Sequence, residues 1–236
     1  MSWRLKIKSF RISQQTETKK KNEKILIGYY GFWVILTYAS AASAFAGMYF
    51  AFNGSIRNAL ICLMFSGLCD GIDGKVASIK KRNERQKSYG VQIDALSDLV
   101  SFGVLPAVIG LMLISHYDSG ISTFLNISVM IVFILAALIR LAYFNVIEAE
   151  LISKNEKRKY YEGLPVTSVA LIIPFVYSLC DIIKIPLSAI YSILLLLISL
   201  AFVLKIKIPK PRGRSIILLL ITGLPTFFYL IFFASN

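Results

Sequence analysis

Acidic side chains are scarce in this chain. Its 236 residues include 13 Asp and Glu against 26 Lys and Arg, which gives a formal net charge of +13. Histidine occurs once, and no Ser–His or Cys–His pairing indicates nucleophilic catalysis. The three cysteines have neither metal-site nor redox spacing, so we interpret them as packing residues. A cleavable signal peptide is not expected, because a long basic stretch precedes the first apolar run.

Apolar residues, in contrast, are abundant, at 56% of the chain with a mean hydropathy of +0.68. A soluble protein of this size could not bury that much apolar surface. Several segments have about 18 or more residues with almost no charge, enough to cross a bilayer. The sequence therefore predicts an all-α fold, a polytopic membrane helical bundle of about seven transmembrane helices. The predicted spans lie near 28–52, 57–79, 91–115, 122–147, 166–183, 187–204 and 214–234.

The basic residues test this topology. Four segments that it places on one side of the membrane hold 23 of the 26 Lys and Arg. These segments are 1–24, 75–87, 154–159 and 205–214. By the positive-inside rule, the N-terminus is cytoplasmic and, with seven spans, the C-terminus is outside. Topology and anionic headgroups explain this charge, so no nucleic-acid partner is expected.

Two regions follow from the charge and hydropathy pattern. Residues 1–27 form a basic N-terminal segment, and residues 28–236 form one membrane domain. Aromatic and aliphatic side chains alternate with Lys and Arg near the start of the N-terminal segment. This pattern suits either a segment lying on the cytoplasmic membrane surface or a disordered basic tail, and the sequence leaves both open.

Four of the six aspartates lie within 29 residues, in and beside apolar stretches: Asp70, Asp73, Asp94 and Asp98. An Asp at the centre of a membrane helix costs about 2.5–3.5 kcal/mol, so such a group needs neutralisation. Spacings of i,i+3 and i,i+4 place each pair on one face of its helix, and the short cationic segment between the pairs turns the chain back. We therefore expect two antiparallel helices to bring the four carboxylates together near the cytoplasmic edge of the bilayer.

More than one chemistry could use such a cluster. Oxygen ligands favour hard divalent cations such as Mg²⁺ or Mn²⁺, and four carboxylates suit a two-metal site for phosphoryl transfer. Gly71, Gly74 and Gly90 would let a nucleotide or a facing backbone approach closely. A cation-transport site is an alternative, since intramembrane carboxylates mark ion paths. A salt-bridged structural cluster would lack cations, because Lys75 is the only one within the motif helices.

The same stretch resembles the CDP-alcohol phosphotransferase (CDP-alcohol phosphatidyltransferase) family. The family pattern is Asp-x2-Asp-Gly-x2-Ala-Arg-x8-Gly-x3-Asp-x3-Asp. The chain matches it with Asp70, Asp73, Gly74, Ala77, Gly90, Asp94 and Asp98. Two departures stand out: Ser78 stands in place of the Arg, and eleven residues rather than eight separate this position from Gly90. We expect Lys81 or Arg82 to supply the missing charge to the nucleotide phosphates.

Three further segments resemble the integral-membrane bacterial phosphatidylserine synthases of that family: 98–107, 140–146 and 163–167. The resemblance implies a six-helix core plus one C-terminal helix, a homodimer, and an active site facing the cytoplasm in the bacterial cell membrane. It implies metal-dependent transfer of the phosphatidyl group from CDP-diacylglycerol to the hydroxyl of L-serine, with release of CMP. A sister enzyme that uses another acceptor, such as glycerol 3-phosphate or inositol phosphate, is the alternative.

The resemblance also implies residue roles. The four aspartates of the motif would hold two divalent cations, with Asp98 as the general base. The CDP moiety would contact Asp70, Asp73, Gly74, Ala77, Ser78, Lys81, Arg82, Gly90 and Asp94. Arg140 lies in an otherwise apolar span and would bind the serine carboxylate or the lipid phosphate, unless it only snorkels to the interface. Tyr143, Asn145 and Thr167 are the other candidates for this acceptor or lipid-phosphate site.

Overall fold

The computed structural model of the chain describes residues 27–78, 82–114, 120–154, 160–209 and 213–234. The chain divides into two compact units, Met1–Tyr30 and Gly31–Asn236. Only residues 27–30 of the first unit are among those described, so the predictions for the N-terminal segment concern residues outside them. All elements below belong to the second unit.

Helices make up nearly all of this unit, as the sequence predicted. They are α1 (Ile35–Phe52, led by a 3₁₀ turn at Phe32–Val34), α2 (Ile56–Ser78), α3 (Glu84–Asp98), α4 (Leu105–Ile114), α5 (Gly120–Ser153), α6 (Val169–Ile183, led by a 3₁₀ turn at Val166–Ser168), α7 (Ser188–Val203) and α8 (Gly213–Phe232). A π-helix, Leu99–Val104, joins α3 to α4 in one continuous rod. Two short strands, β1 (Tyr160–Glu162) and β2 (Lys207–Pro209), pair antiparallel and are an addition to the all-α prediction.

Four of the helical segments are long and apolar enough to cross a membrane. They are Phe32–Phe52, Glu84–Ile114, Thr123–Leu151 and Val166–Ile183. Shorter apolar helices cover Ser188–Val203 and Ile221–Phe232. A helix therefore occupies each of the seven predicted spans, and the chain is an integral membrane protein. Beyond these four segments, the number that crosses the bilayer stays a prediction, as does the orientation.

The helix that contains the third predicted span begins about two turns before residue 91, where that span was placed. Helix α3 begins at Glu84 because Asn83 caps it. The Asn83 side chain accepts a hydrogen bond from the Gln86 backbone N–H (2.8 Å), and the Gln86 side chain accepts one from the Asn83 N–H (3.1 Å). This reciprocal capping box satisfies two donors that a helix start otherwise leaves open. The aspartates of α3 thus lie well inside a helix rather than near its first turn.

Apolar side chains occupy both the core of the bundle and its outer surface. The core contains fully buried Leu60, Phe102 and Tyr191, where the Tyr191 hydroxyl donates to the Pro106 carbonyl oxygen (2.8 Å). Large apolar side chains also cover the outer faces, including Phe45 at 74% exposure and Phe124 at 71%. Such an apolar exterior is the surface that a lipid bilayer solvates.

Candidate active site

The four motif aspartates meet between α2 and α3. The carboxyl groups of Asp70 and Asp98 lie within hydrogen-bonding reach of each other, and so do those of Asp73 and Asp94. The first of the four aspartates in the sequence thus pairs with the last, and the two middle ones pair with each other. Two helices that run in opposite directions produce this pairing. Asp73 and Asp98 are buried, while Asp70 and Asp94 are half-buried and open towards the surface. The structure therefore brings together all four residues, as their spacing predicted.

The donor set of this cluster suits a divalent cation. One carboxylate oxygen from each of Asp70, Asp73 and Asp94 can be chosen so that all three lie within 4.8 Å of one another. Carboxylate oxygens are hard ligands, which Mg²⁺ and Mn²⁺ prefer over the softer nitrogen and sulfur donors that zinc favours. Carboxyl groups this close repel one another when ionised, so a bound cation would relieve that repulsion.

A threonine that the sequence reading did not single out also reaches this cluster. The Thr37 hydroxyl on α1 donates to Asp73 Oδ2 (3.3 Å), and the Ser97 hydroxyl on α3 donates to the Thr37 carbonyl oxygen (3.0 Å). Thr37 is buried, so this bond is shielded from water. The available signal was a hydroxyl at every third residue of α1, Thr37, Ser40 and Ser43, a stripe along one helix face.

One level deeper in the bundle, three serines tie α1, α2 and the π-helix together. The Ser66 hydroxyl donates to the Ser40 carbonyl oxygen (2.9 Å), and the Ser40 and Ser101 hydroxyls lie 3.2 Å apart. Ser66 and Ser101 are fully buried. The π-helix that holds Ser101 begins directly after Asp98. π-Helical turns inside α-helices often mark functional sites, and this one lies next to the aspartate cluster.

The motif glycines fall into two groups. A methyl group added at Gly71 or Gly74 would meet no described atom within 4 Å, so both glycines border open space beside the aspartates. Gly90 on α3 is instead covered by other side chains, those of Arg82 and Trp33. The predicted CDP-binding calls on the side chains of Ala77 and Ser78, and on Lys81, fall outside what the structure describes.

Arg140, the predicted acceptor or phosphate ligand, is buried on α5 at 5% exposure, so it does not snorkel. Its guanidinium donates to the carbonyl oxygens of Leu164 (3.3 Å) and Gly163 (3.4 Å), which lie between β1 and α6. A methyl group at Gly103 would lie 3.4 Å from Ala137 Cβ, one turn before Arg140. Because α5 runs antiparallel to the rod, this contact puts Arg140 at about the level of Val100, close to Asp98 but about 9 Å along the axis from Asp94.

The other predicted acceptor residues lie on α5 and in the 3₁₀ turn that leads α6. Tyr143, on the turn after Arg140, donates its hydroxyl to Glu162 Oε2 (2.8 Å) and lies under the Lys205 ammonium (5.5 Å from the ring centre). Thr167 lies in the 3₁₀ turn, which packs against both α2 and the π-helix. Asn145 is half-buried, five residues after Arg140 and so on a different face of α5. Roles for these residues stay predictions.

This arrangement defines a class: an integral membrane protein whose helices hold a cluster of carboxylates that could bind a metal ion. The family model for CDP-alcohol phosphatidyltransferase matches residues 34–207, so the chain belongs to that family. The match includes all four aspartates, Thr37 and Arg140, and it ends before α8.

Proteins with assigned activities are similar to this chain over part or most of its length. A CDP-diacylglycerol–serine O-phosphatidyltransferase of Saccharomyces cerevisiae is 40% identical over 47% of this chain and 38% of its own length. An archaetidylserine synthase of Methanothermobacter thermautotrophicus is 26% identical over 82% of this chain and 76% of its own. A CDP-diacylglycerol–serine O-phosphatidyltransferase of Methanocaldococcus jannaschii is 30% identical over 73% of this chain and 77% of its own. The chain thus spans about three quarters of the archaeal relatives but little more than a third of the yeast one.

Proposed function

We propose that this protein is a CDP-diacylglycerol–serine O-phosphatidyltransferase, a phosphatidylserine synthase. The observation that carries the proposal is the pairing of Asp70 with Asp98 and of Asp73 with Asp94 beside two glycines that border open space. Membership of the family supplies the reaction class, transfer of a phosphatidyl group from a CDP-linked lipid.

Serine is the acceptor that the comparisons support best. The names of the three relatives described above all specify serine, whereas they differ in the lipid, diacylglycerol or archaetidyl. Arg140 provides a buried guanidinium near the level of Asp98, which suits a carboxylate or a phosphate through two parallel hydrogen bonds. The Arg140 guanidinium already donates hydrogen bonds to the carbonyl oxygens of Gly163 and Leu164 in the loop before α6. Binding of the substrate would therefore be a second function of this side chain.

The reaction requires one displacement at phosphorus. The serine hydroxyl oxygen attacks the phosphorus on the lipid side of the diphosphate, the bond from that phosphorus to the CMP oxygen breaks, and CMP leaves with the electron pair. Asp98, as the proposed general base, takes the hydroxyl proton. The aspartates would hold two Mg²⁺ or Mn²⁺ ions, which neutralise negative charge on the diphosphate. Thr37 orients Asp73 for this task, and the open space beside Gly71 and Gly74 would admit the nucleotide.

The test is product formation by purified protein in detergent or liposomes. CDP-diacylglycerol is supplied with Mn²⁺ or Mg²⁺ and, in separate reactions, L-serine, glycerol 3-phosphate or inositol phosphate, and CMP release is measured. We expect CMP and phosphatidylserine with serine only. CMP with another acceptor alone would favour the sister enzyme, and no CMP with any acceptor would overturn the proposal and leave cation transport as the hypothesis to test.

The cellular setting belongs to the same proposal. The basic loops support a cytoplasmic active site in a bacterial cell membrane, where serine and CDP-lipid are both available. The homodimer implied by the family resemblance is testable by light scattering of the purified protein after subtracting detergent mass.

A further inference from the structure

Arg82, Trp33 and Gly90 form a compact stack at the entrance to the aspartate cluster. The Arg82 guanidinium carbon lies 5.2 Å from the centre of the Trp33 ring. A methyl group at Gly90 would lie 3.0 Å from Arg82 Nη1 and 3.6 Å from the Trp33 ring. Trp33 is buried at 6% exposure, so the surrounding packing fixes the position of the ring on which the guanidinium lies. A methyl group at position 90 would therefore press on the Arg82 guanidinium and shift it.

The stack lies next to the carboxylates. Gly90 and Asp94 are four residues apart on α3 and therefore share a face, about 6 Å apart along the helix axis. The guanidinium that contacts Gly90 is thus one turn from the Asp94 carboxylate, on the side of the cluster where the chain enters α3. A cation at this position is within reach of a phosphate group bound at the aspartates.

The family pattern has an Arg between its first two aspartates and Gly90, and the longer spacer of this chain leaves open which residue corresponds to it. Counted forward from Asp70, the Arg of the pattern falls on Ser78. Counted back from Gly90, it falls on Lys81, a cation that directly precedes Arg82 and lies outside the described residues. The three additional residues of the spacer therefore separate two possible alignments. Arg82 directly follows the second of these positions, and it is the described cation that contacts Gly90.

We propose that Arg82, held against Gly90 by Trp33, binds the diphosphate of the CDP-linked substrate in place of the Arg that the family pattern puts at Ser78. This inference rests on the proposed function. A guanidinium donates two parallel hydrogen bonds to phosphate oxygens, and stacking on an aromatic ring fixes its plane without using its N–H donors. Trp33 is then a positioning residue, which acts through Arg82.

The test is direct binding of CDP, measured by equilibrium dialysis in the presence of Mg²⁺. Arg82→Ala is expected to raise the Kd for CDP about tenfold, because a charge-assisted pair is lost. Trp33→Leu should raise it by a smaller factor, since Arg82 remains but is no longer held. The matched control is Arg85→Ala, which removes the same charge from an exposed position of α3 and should leave the Kd unchanged.

A rescue variant separates phosphate binding from a purely structural stack. Ser78→Arg combined with Arg82→Ala returns the cation to the family position and should restore most of the lost affinity. Arg82→Gln, which removes the charge but keeps a polar side chain with part of the aliphatic stem, guards against misfolding of the Ala variant. If Arg82→Ala binds CDP as well as or better than the unmodified protein, or loses no more than Arg85→Ala, the inference is wrong.

The two proposals fail in different ways. Unmodified protein that binds CDP and releases CMP, together with an unchanged Arg82→Ala variant, would overturn only the role of Arg82. Unmodified protein that neither binds CDP nor releases CMP would overturn the proposed function and this inference with it.

Discussion

At the scale of single residues, the hydrogen bond from Thr37 to Asp73 connects α1, a helix without acidic residues, to the aspartate cluster. This hydrogen bond holds the Asp73 carboxylate in one orientation, so less reorganisation would be needed when a metal ion binds. Thr37→Val keeps the shape of the side chain and removes the donor. Hydrogen bonds to charged groups contribute about 1.5–3 kcal/mol, so we expect at least a tenfold increase in the Mn²⁺ concentration for half-maximal activity.

The measurement for Thr37 is CMP release titrated against Mn²⁺ at saturating substrates. Thr37→Ser keeps the hydroxyl and serves as the control, with a titration close to that of the unmodified protein. An unchanged Mn²⁺ titration for Thr37→Val would show that the bond to Asp73 has no part in metal binding.

Asp98 has a position that fits proton transfer better than the other aspartates. It is buried and directly precedes the π-helix, and it pairs with Asp70 rather than belonging to the close group of three oxygens. Asp98→Asn keeps the size of the side chain and removes its basicity, so we expect kcat to fall by about 10²–10⁴-fold with little change in the Kd for CDP.

The control for Asp98→Asn is Asp181→Asn, the same substitution at an aspartate outside the cluster. Asp181 accepts a hydrogen bond from Tyr229 (2.8 Å) at the other end of the bundle, and Asn keeps an oxygen acceptor for it. This variant should retain normal kcat. Equal losses in the two variants would point to general damage to the fold rather than to a base at position 98.

At the scale of helices, the contact between α2 and α6 decides how the site is assembled. A methyl group at Gly67 would lie 2.5 Å from Ala170 Cβ, so the two backbones approach closely at this point. Asp70 follows Gly67 by one turn on α2, and Thr167 precedes Ala170 by one turn on the antiparallel α6. The close contact therefore places Thr167 and Asp70 at the same level.

Gly67→Ala is expected to force α2 and α6 apart, at a cost of about 1–3 kcal/mol typical of overpacking. We expect a lower melting temperature in detergent and reduced CMP release. Ala170→Gly in the same protein restores the space with the methyl group on the opposite helix, so the double variant should recover both properties. Failure of the double variant to recover would show that the Gly67–Ala170 contact does not limit this packing.

The elements that sequence reasoning found were those with a local signal. Apolar runs located seven helices, and the i,i+3 and i,i+4 spacings placed the aspartates on facing sides. Asn83 and Gln86 also form a local signal, a capping box. They lie in the cationic segment that was interpreted as a turn, so the helix start was not predicted there. The site residues that were missed depend on distant partners: Thr37 acts on a residue 36 positions away.

The π-helix and the small sheet could not be predicted for the same reason. The π-helix depends on packing that includes Ser101 against Ser40 of α1, 61 positions away. Strands of three residues have almost no periodicity, and β1 and β2 are joined only through the intervening α6 and α7. Gly163, in the left-handed region at φ +75°, sits under the carbonyl oxygens of residues 202 and 204, so the loop near β1 is fixed by the end of α7.

At the scale of the whole molecule, contacts at the bundle end remote from the aspartates bear on topology. Arg57, near the start of α2, donates through Nε to the Leu230 carbonyl oxygen (2.6 Å) and through its other nitrogens to those of Ile231 and Ala234. A cation at the C-terminus of a helix also complements the helix dipole. The start of α2 and the end of α8 therefore lie together, which supports the prediction that the C-terminus is on the side opposite the active site.

This topology predicts different accessibility for two single-cysteine variants in a background where Cys62, Cys69 and Cys180 are replaced. Asn53, exposed after α1, is expected outside, and Lys87, exposed in α3, is expected in the cytoplasm. A membrane-impermeant maleimide should label Asn53→Cys in intact cells and Lys87→Cys only after permeabilisation, which also serves as the control that both thiols react. The positive-inside rule gives this direction because the Lys- and Arg-rich segments share the side of Lys87. The reverse labelling pattern would show that the protein has the opposite orientation in the membrane. The aspartate site would then lie on the outer face, where cytosolic serine could not reach it.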